Sequence, residues 1–113
     1  MLWFKKNKPG VAFEDTAHFL SECAAQIGSF KDYVTENEEV SREINRVKEA
    51  FTFAVAPRLY SKEIEQCKVD IKKMCDELKA IFRSREWDEK DIMFRLADLK
   101  VELAHLTSIT AKK

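Results

Sequence analysis

The sequence predicts an all-α fold, specifically an antiparallel up-down-up-down bundle of four helices joined by short loops. Only two glycines and two prolines occur in 113 residues, which is too little turn chemistry to connect many short strands. The composition is 45% hydrophobic and 35% charged, as amphipathic helices require. Apolar residues recur in alternating steps of four and three, which places them along one helix face.

Three segments carry heptad-spaced apolar stripes typical of coiled-coil-like packing seams. The stripes are Val40, Ile44, Val47, Phe51 and Ala54; Tyr60, Ile64, Cys67, Ile71, Met74, Leu78 and Ile81; and Ile92, Leu96, Leu99, Leu103 and Leu106. The first segment has a looser stripe, interrupted by Lys31 and made of Phe13, Ala17, Leu20, Ala24, Ile27 and Val34. We therefore expect helices near residues 11–34, 36–56, 61–84 and 89–109.

Breaks between the stripes predict the helix boundaries. The second stripe loses phase at Pro57, which disfavours helical geometry in the residue before it, and Ser61 can then cap the third helix. Thr35 and Glu38 have capping-box spacing before the second helix, and Asp88 is a natural cap for the fourth. An alternative joins the second and third segments in one long kinked helix.

The domain organisation predicted from length is a single helical domain, 11–113, preceded by a short apolar and basic segment, 1–10. Short connections predict that helices adjacent in sequence lie side by side and antiparallel. The chain shows no secretory signal and no apolar run long enough to span a bilayer, so we expect a cytoplasmic protein.

Charge and cysteine usage narrow the expected partners. Twenty basic and twenty acidic residues give zero net charge, which lacks the basic excess typical of nucleic-acid binding and does not oppose self-association. Cys23, Cys67 and Cys75 form an odd set without paired metal-ligand spacing, and we expect buried, reduced thiols. The sequence thus predicts a protein partner or a homo-oligomer, and no nucleic acid.

Candidate chemistry is sparse, and we expect no catalytic, cofactor-binding or metal-binding residues. Glu102-x-x-His105 and Asp15-x-x-His18 have the spacing of dimetal carboxylate sites, but helix phase directs them away from the predicted core. The favoured interpretation is two solvated histidines. No histidine lies one helical turn from a cysteine, so a metal-dependent or nucleophilic enzyme is the less favoured alternative.

A second apolar stripe on the fourth helix is the strongest functional signal. Phe94, Ala97, Val101 and Ala104 lie opposite the leucine-rich seam, and Phe53 near the end of the second helix could extend this surface. The pattern favours a non-catalytic protein–protein interaction module (an adaptor, chaperone-like protein or assembly subunit) that binds a partner helix or a second copy. The structural alternatives are a fourth helix buried on both sides within the chain, or a Phe94 that is merely a single exposed aromatic residue.

The first residues offer another functional class. Trp3 and Phe4 precede Lys5 and Lys6, a combination suited to a weak interfacial membrane anchor. The alternative function is therefore a peripheral membrane protein attached by this segment.

Overall fold

The computed structural model describes residues 9–57 and 61–111, with side chains described over 16–57 and 61–109. Four α-helices pack against one another: α1 spans Pro9–Ser29, α2 Glu38–Thr52, α3 Lys62–Ser84 and α4 Glu89–Ala111. A short 3₁₀ turn, Phe30–Tyr33, follows α1. The described ranges contain no β-strand, and the all-α prediction is confirmed.

The cap of α2 differs from the sequence prediction. Asn37 precedes the helix in extended geometry, and its side-chain oxygen accepts a hydrogen bond from the Val40 amide at 3.0 Å. The predicted capping box of Thr35 and Glu38 is wrong, because Glu38 is already the first residue of the helix. The cap has to be the residue immediately before it.

The other two predicted caps are confirmed. The Ser61 hydroxyl accepts a hydrogen bond from the Ile64 amide at 3.1 Å, and the Asp88 carboxylate accepts one from the Asp91 amide at 3.1 Å. Because α2 ends at Thr52 and residues 53–57 are not helical, α2 and α3 are separate helices and the single kinked helix is excluded.

Most of the predicted apolar stripes form the core. All five stripe residues of α4 and the first four of α2 are buried. Tyr60 and the side chain of Phe13 lie outside the described residues, and Ala17, expected on the inner face of α1, is exposed. In α3 the buried series shifts, and its members are Ile64, Cys67, Ile71, Cys75, Leu78 and Phe82.

The shift in α3 follows from helix geometry. A straight α-helix has about 3.6 residues per turn, so a strict seven-residue repeat drifts around it by about 20° per heptad. In the second half of the 23-residue helix α3, Cys75 and Phe82 therefore take the buried positions that were predicted for Met74 and Ile81. Met74 and Ile81 are half-buried instead.

An aromatic cluster around Phe82 closes one end of the core. The Phe82 ring lies 5.2 Å from that of Phe30, 5.7 Å from that of Tyr33 and 5.5 Å from that of Trp87, measured between centroids. These contacts join the 3₁₀ turn, the end of α3 and the α3–α4 connection.

The packing order of the helices differs from the expected one. Helix α1 packs on α2 and α3, and α4 packs on the same two helices, whereas no Cα atom of α2 lies within 8 Å of one of α3 in the described ranges. These two helices therefore occupy opposite corners. Segment 53–61 connects them and can span up to about 30 Å, whereas the diagonal of a bundle with neighbours about 10 Å apart is only about 14 Å.

Glu43 provides a buried charge between α2 and α4. Its carboxylate is 10% exposed and lies 2.7 Å from the Lys100 ammonium and 3.3 Å from the Arg46 guanidinium. The hydrogen bond from Lys100 lowers the pKa of Glu43 more than burial raises it, and Arg46 adds to the lowering. The ionised carboxylate is therefore the form that this contact stabilises.

The corrected cap of α2 makes a first prediction. Asn37→Ala should lower the free energy of unfolding by about 0.5–2 kcal/mol through loss of the cap. Thr35→Ala should change it by less than about 0.5 kcal/mol, because Thr35 is exposed and does not cap the helix. Urea unfolding measures both.

Asn37→Ser controls for the other hydrogen bond of Asn37, which donates to Glu89 at 3.0 Å. Serine keeps a capping oxygen but loses the amide donor, so most of the stability should remain. A larger loss for Thr35→Ala than for Asn37→Ala would contradict the assignment.

A second prediction concerns pH. Because the folded-state pKa of Glu43 is lowered, its stabilising contribution is present above its unfolded pKa and is lost as pH falls through the folded value. Lys100→Met should therefore cost about 1–2 kcal/mol at pH 7, a modest value because Lys100 is 42% exposed and solvent screens the pair.

That cost should shrink as the pH falls, because a protonated Glu43 carboxyl no longer needs the Lys100 ammonium. The matched control is Lys72→Met, which removes a surface pair with Asp76 whose side chains are both more than half exposed. An equal, pH-independent loss in the two variants would refute the role of Glu43.

Candidate functional site

The outer face of α4 is apolar and open to solvent. Phe94 is 66% exposed and Val101 is 65% exposed, and Ala97 and Ala104 are also exposed. The leucine-rich seam on the other side of the helix is fully packed. The alternative in which the chain buries α4 on both sides is therefore wrong.

Phe53 lies on a different part of the surface. It is 77% exposed at the C-terminal end of α2, close in sequence to the exposed Val55. Contacts between α2 and α4 join Asn37 to Glu89 and Glu43 to Lys100, so later residues of α2 meet later residues of α4. This order places Phe53 towards the end of α4 that is remote from Phe94.

The residues predicted to contact a membrane in the alternative function are at the start of the chain. Trp3, Phe4, Lys5 and Lys6 lie outside the described residues. Within the described ranges, none of the helices combines the length and the apolar character needed to cross a bilayer.

A polar cluster joins the start of α3 to the end of α4. His105 Nδ1 lies 3.5 Å from Cys67 Sγ and 3.6 Å from a Glu102 carboxylate oxygen. His105 Nε2 lies 3.3 Å from a carboxylate oxygen of Glu63. Cys67 is buried, Glu102 is 23% exposed and His105 is 47% exposed, so the cluster opens to solvent on the histidine side.

Sequence reasoning did not find this cluster, although it considered two of its members. Helix phase correctly kept Glu102 and His105 out of the central core, but half of the cluster comes from α3. The sequence did contain two signals. Glu63 and Cys67 lie four residues apart in α3, and Glu102 and His105 lie three residues apart in α4, so each pair shares one helix face. The relative register of the helices was needed to join them.

The two histidines therefore differ. His18 is 71% exposed and lies 3.0 Å from Glu22 of its own helix, which agrees with a solvated surface residue. His105 is 47% exposed and has three polar neighbours from two helices.

The cluster does not have the electrostatics of an activated nucleophile. Burial, followed by the charge and hydrogen bonding of Glu102, raises the pKa of Cys67 to about 11. A thiol with this pKa remains protonated at neutral pH, whereas nucleophilic cysteines have depressed values. Cys67 beside His105 therefore does not reproduce a cysteine–histidine catalytic pair.

The other two cysteines interact with each other between α1 and α3. All three cysteines are buried and free, which confirms their predicted burial. Hydrogen bonding with Cys75 lowers the pKa of Cys23, whereas the same contact and burial raise the pKa of Cys75. The two thiols therefore share a hydrogen bond within the core.

The one-sided burial of α4 makes a third prediction. Leu96→Ala should reduce the free energy of unfolding by about 2–5 kcal/mol, because Leu96 is fully buried. Phe94→Ala should change it by less than about 0.5 kcal/mol at low protein concentration, because Phe94 faces solvent. Urea unfolding at matched dilution compares them, and similar large losses would show that Phe94 belongs to the core.

Comparison of the chain with models of known protein families, with curated proteins and with solved structures found no match.

Proposed function

We propose that the chain is a non-catalytic helical interaction domain whose exposed α4 face docks a helix of a second copy. The observation that carries the proposal is the presence of Phe94 and Val101 on the solvent side of a helix whose opposite side is already buried. Apolar side chains repeated along one helix face favour packing against another helix.

The residue types of this face suit helix docking. Phe94 offers the largest apolar area and is the expected anchor. Ala97 and Ala104 are small and exposed, so another helix can approach the α4 backbone closely between the larger residues. Because the chain carries no net charge, two copies do not repel each other over long range.

The expected association is weak. Full burial of an exposed phenylalanine or valine stabilises by about 1.5–3 kcal/mol, so two-thirds-exposed side chains contribute roughly 1–2 kcal/mol each. A symmetric pair would gain roughly 4–8 kcal/mol from four such side chains, against an association cost of about 4 kcal/mol or more. The net gain is then at most about 4 kcal/mol, so self-association should appear only at millimolar concentrations or above.

The supporting scaffold is proposed to be an up-down-up-down bundle. Contacts of α1 with α3 pair Thr16 with Lys68 and Gln26 with Asp76, in the same order along both helices. Contacts of α3 with α4 pair Glu63 with His105 and Glu77 with Arg95, in reversed order. These orders support alternating directions, with α2 and α3 on opposite corners.

A reducing, cytoplasmic location is part of the same proposal. The three free cysteines, buried in the core, fit a compartment in which thiols persist.

The test is the solution mass of the purified chain, measured by light scattering from about 0.1 mM to about 5 mM, a range that extends above the millimolar dissociation constant expected here. The mass should rise towards that of two chains, and Phe94→Asp should hold it at one chain while circular dichroism remains helical. The matched control is Val69→Asp, which alters another exposed valine, on α3; it should behave as the wild type.

A wild-type mass of one chain throughout this range would contradict self-association. An equal loss in Val69→Asp would show that the charge, rather than the α4 face, is responsible.

A further inference from the structure

We propose that Cys67, Glu102 and His105 form a binding site for a divalent transition-metal ion, with zinc as the best match. The ligands are the Cys67 thiolate, one Glu102 carboxylate oxygen and His105 Nδ1, with a fourth position open to solvent. The proposal is independent of the α4 interface, which uses the outer face of the helix.

The separations between the donor atoms fit tetrahedral coordination. Zinc bonds of about 2.3 Å to sulfur and about 2.0–2.1 Å to nitrogen or oxygen, at tetrahedral angles, separate the donors by about 3.3–3.6 Å. His105 Nδ1 lies 3.5 Å from Cys67 Sγ and 3.6 Å from the Glu102 oxygen. All three donor atoms lie within 4.8 Å of one another, so the Cys67 sulfur and the Glu102 oxygen need to approach by no more than about 1.3 Å to complete the geometry.

Glu63 supplies a second observation that points to a metal site. Its carboxylate lies 3.3 Å from His105 Nε2 and, because a carboxylate accepts, favours the tautomer that carries the proton on that nitrogen. This hydrogen bond leaves the lone pair on Nδ1, the ring nitrogen that faces Cys67 and Glu102. A histidine held by a carboxylate on its far nitrogen is the usual arrangement behind a metal-bound imidazole.

The charges balance when the ion is bound. As the metal–sulfur bond forms, the Cys67 thiol releases its proton to solvent, and the sulfur becomes a thiolate ligand. One thiolate and one carboxylate then neutralise the two positive charges of the ion, while the imidazole remains neutral.

The donor set selects among ions. A thiolate and an imidazole suit zinc and related transition metals, whereas magnesium and calcium prefer sites made of oxygen alone. Because His105 is 47% exposed, water can reach the ion and take the fourth position. Three protein ligands with one open position is the pattern of accessible zinc sites.

The experiment uses the full chain, stripped of metal by a chelator and reduced. Zinc is titrated in competition with a chromophoric chelator, and cobalt is titrated as a spectroscopic substitute that reports thiolate ligation and tetrahedral geometry. The wild type should bind one ion per chain and show a thiolate-to-cobalt absorption band. Cys67→Ser and His105→Ala should each lose the band and the competitive binding.

Three further variants locate the site. Glu63→Gln should weaken binding about 10–100-fold while leaving the thiolate band in place at saturation. His18→Ala is the matched control, since it removes the other histidine beside a glutamate, and it should bind as the wild type. Phe94→Asp should also bind zinc normally, which separates this site from the α4 interface.

Two results would overturn the proposal: absence of the thiolate band in the wild type, or wild-type binding by His105→Ala. If Cys67→Ser loses its fold by circular dichroism, Glu102→Gln replaces it, because Glu102 is partly exposed. Folded Glu102→Gln with unchanged affinity would then count against the site.

Discussion

The rotation of α4 about its own axis is the constraint on which the other features depend. Burial of one leucine-rich face against α2 and α3 fixes this rotation, and each residue then follows at about 100° from the one before it. Lys100, next to the buried Leu99, points to the α2 side and meets Glu43. Glu102 and His105 fall on the α3 side, where they meet Cys67.

The same rotation leaves Phe94 and Val101 outside. Both lie about 140–160° from the direction of Leu99, where neither α2 nor α3 can cover them. Core packing therefore explains why these positions are exposed. It does not explain why they carry apolar residues. Nothing in the core requires phenylalanine at that position, which is why its presence carries a functional argument.

The sequence predicted the features of the fold that depend on residues close together in the chain. Apolar spacing predicted the helices, and Ser61 and Asp88 predicted two of their starts, because a cap acts within one turn. Heptad counting failed towards the end of α3, where Cys75 and Phe82 are the buried residues, since a straight helix does not keep a seven-residue period. The predicted cap at Thr35 was wrong, because Asn37, another good capping residue, lies immediately before the helix in extended geometry.

The features that sequence reasoning missed depend on how helices are placed relative to one another. Cys67 and His105 are distant in the chain and meet only because the start of α3 lies beside the end of α4. Likewise, no local pattern indicated that α2 and α3 occupy opposite corners, because segment 53–61 is compatible with either a short or a diagonal crossing.

The polar cluster also illustrates how a site differs from a core contact. Two carboxylates, Glu63 and Glu102, flank the single imidazole of His105, and a buried thiol lies beside it. An ion with two positive charges would neutralise the Cys67 thiolate and the Glu102 carboxylate, leaving Glu63 to orient the ring. Each of the four side chains would then have a defined role, either as a ligand or as the group that orients the ligand histidine. The exposed His18–Glu22 pair on α1 offers a histidine and a carboxylate, but no third metal-binding side chain lies within reach of them among the described residues.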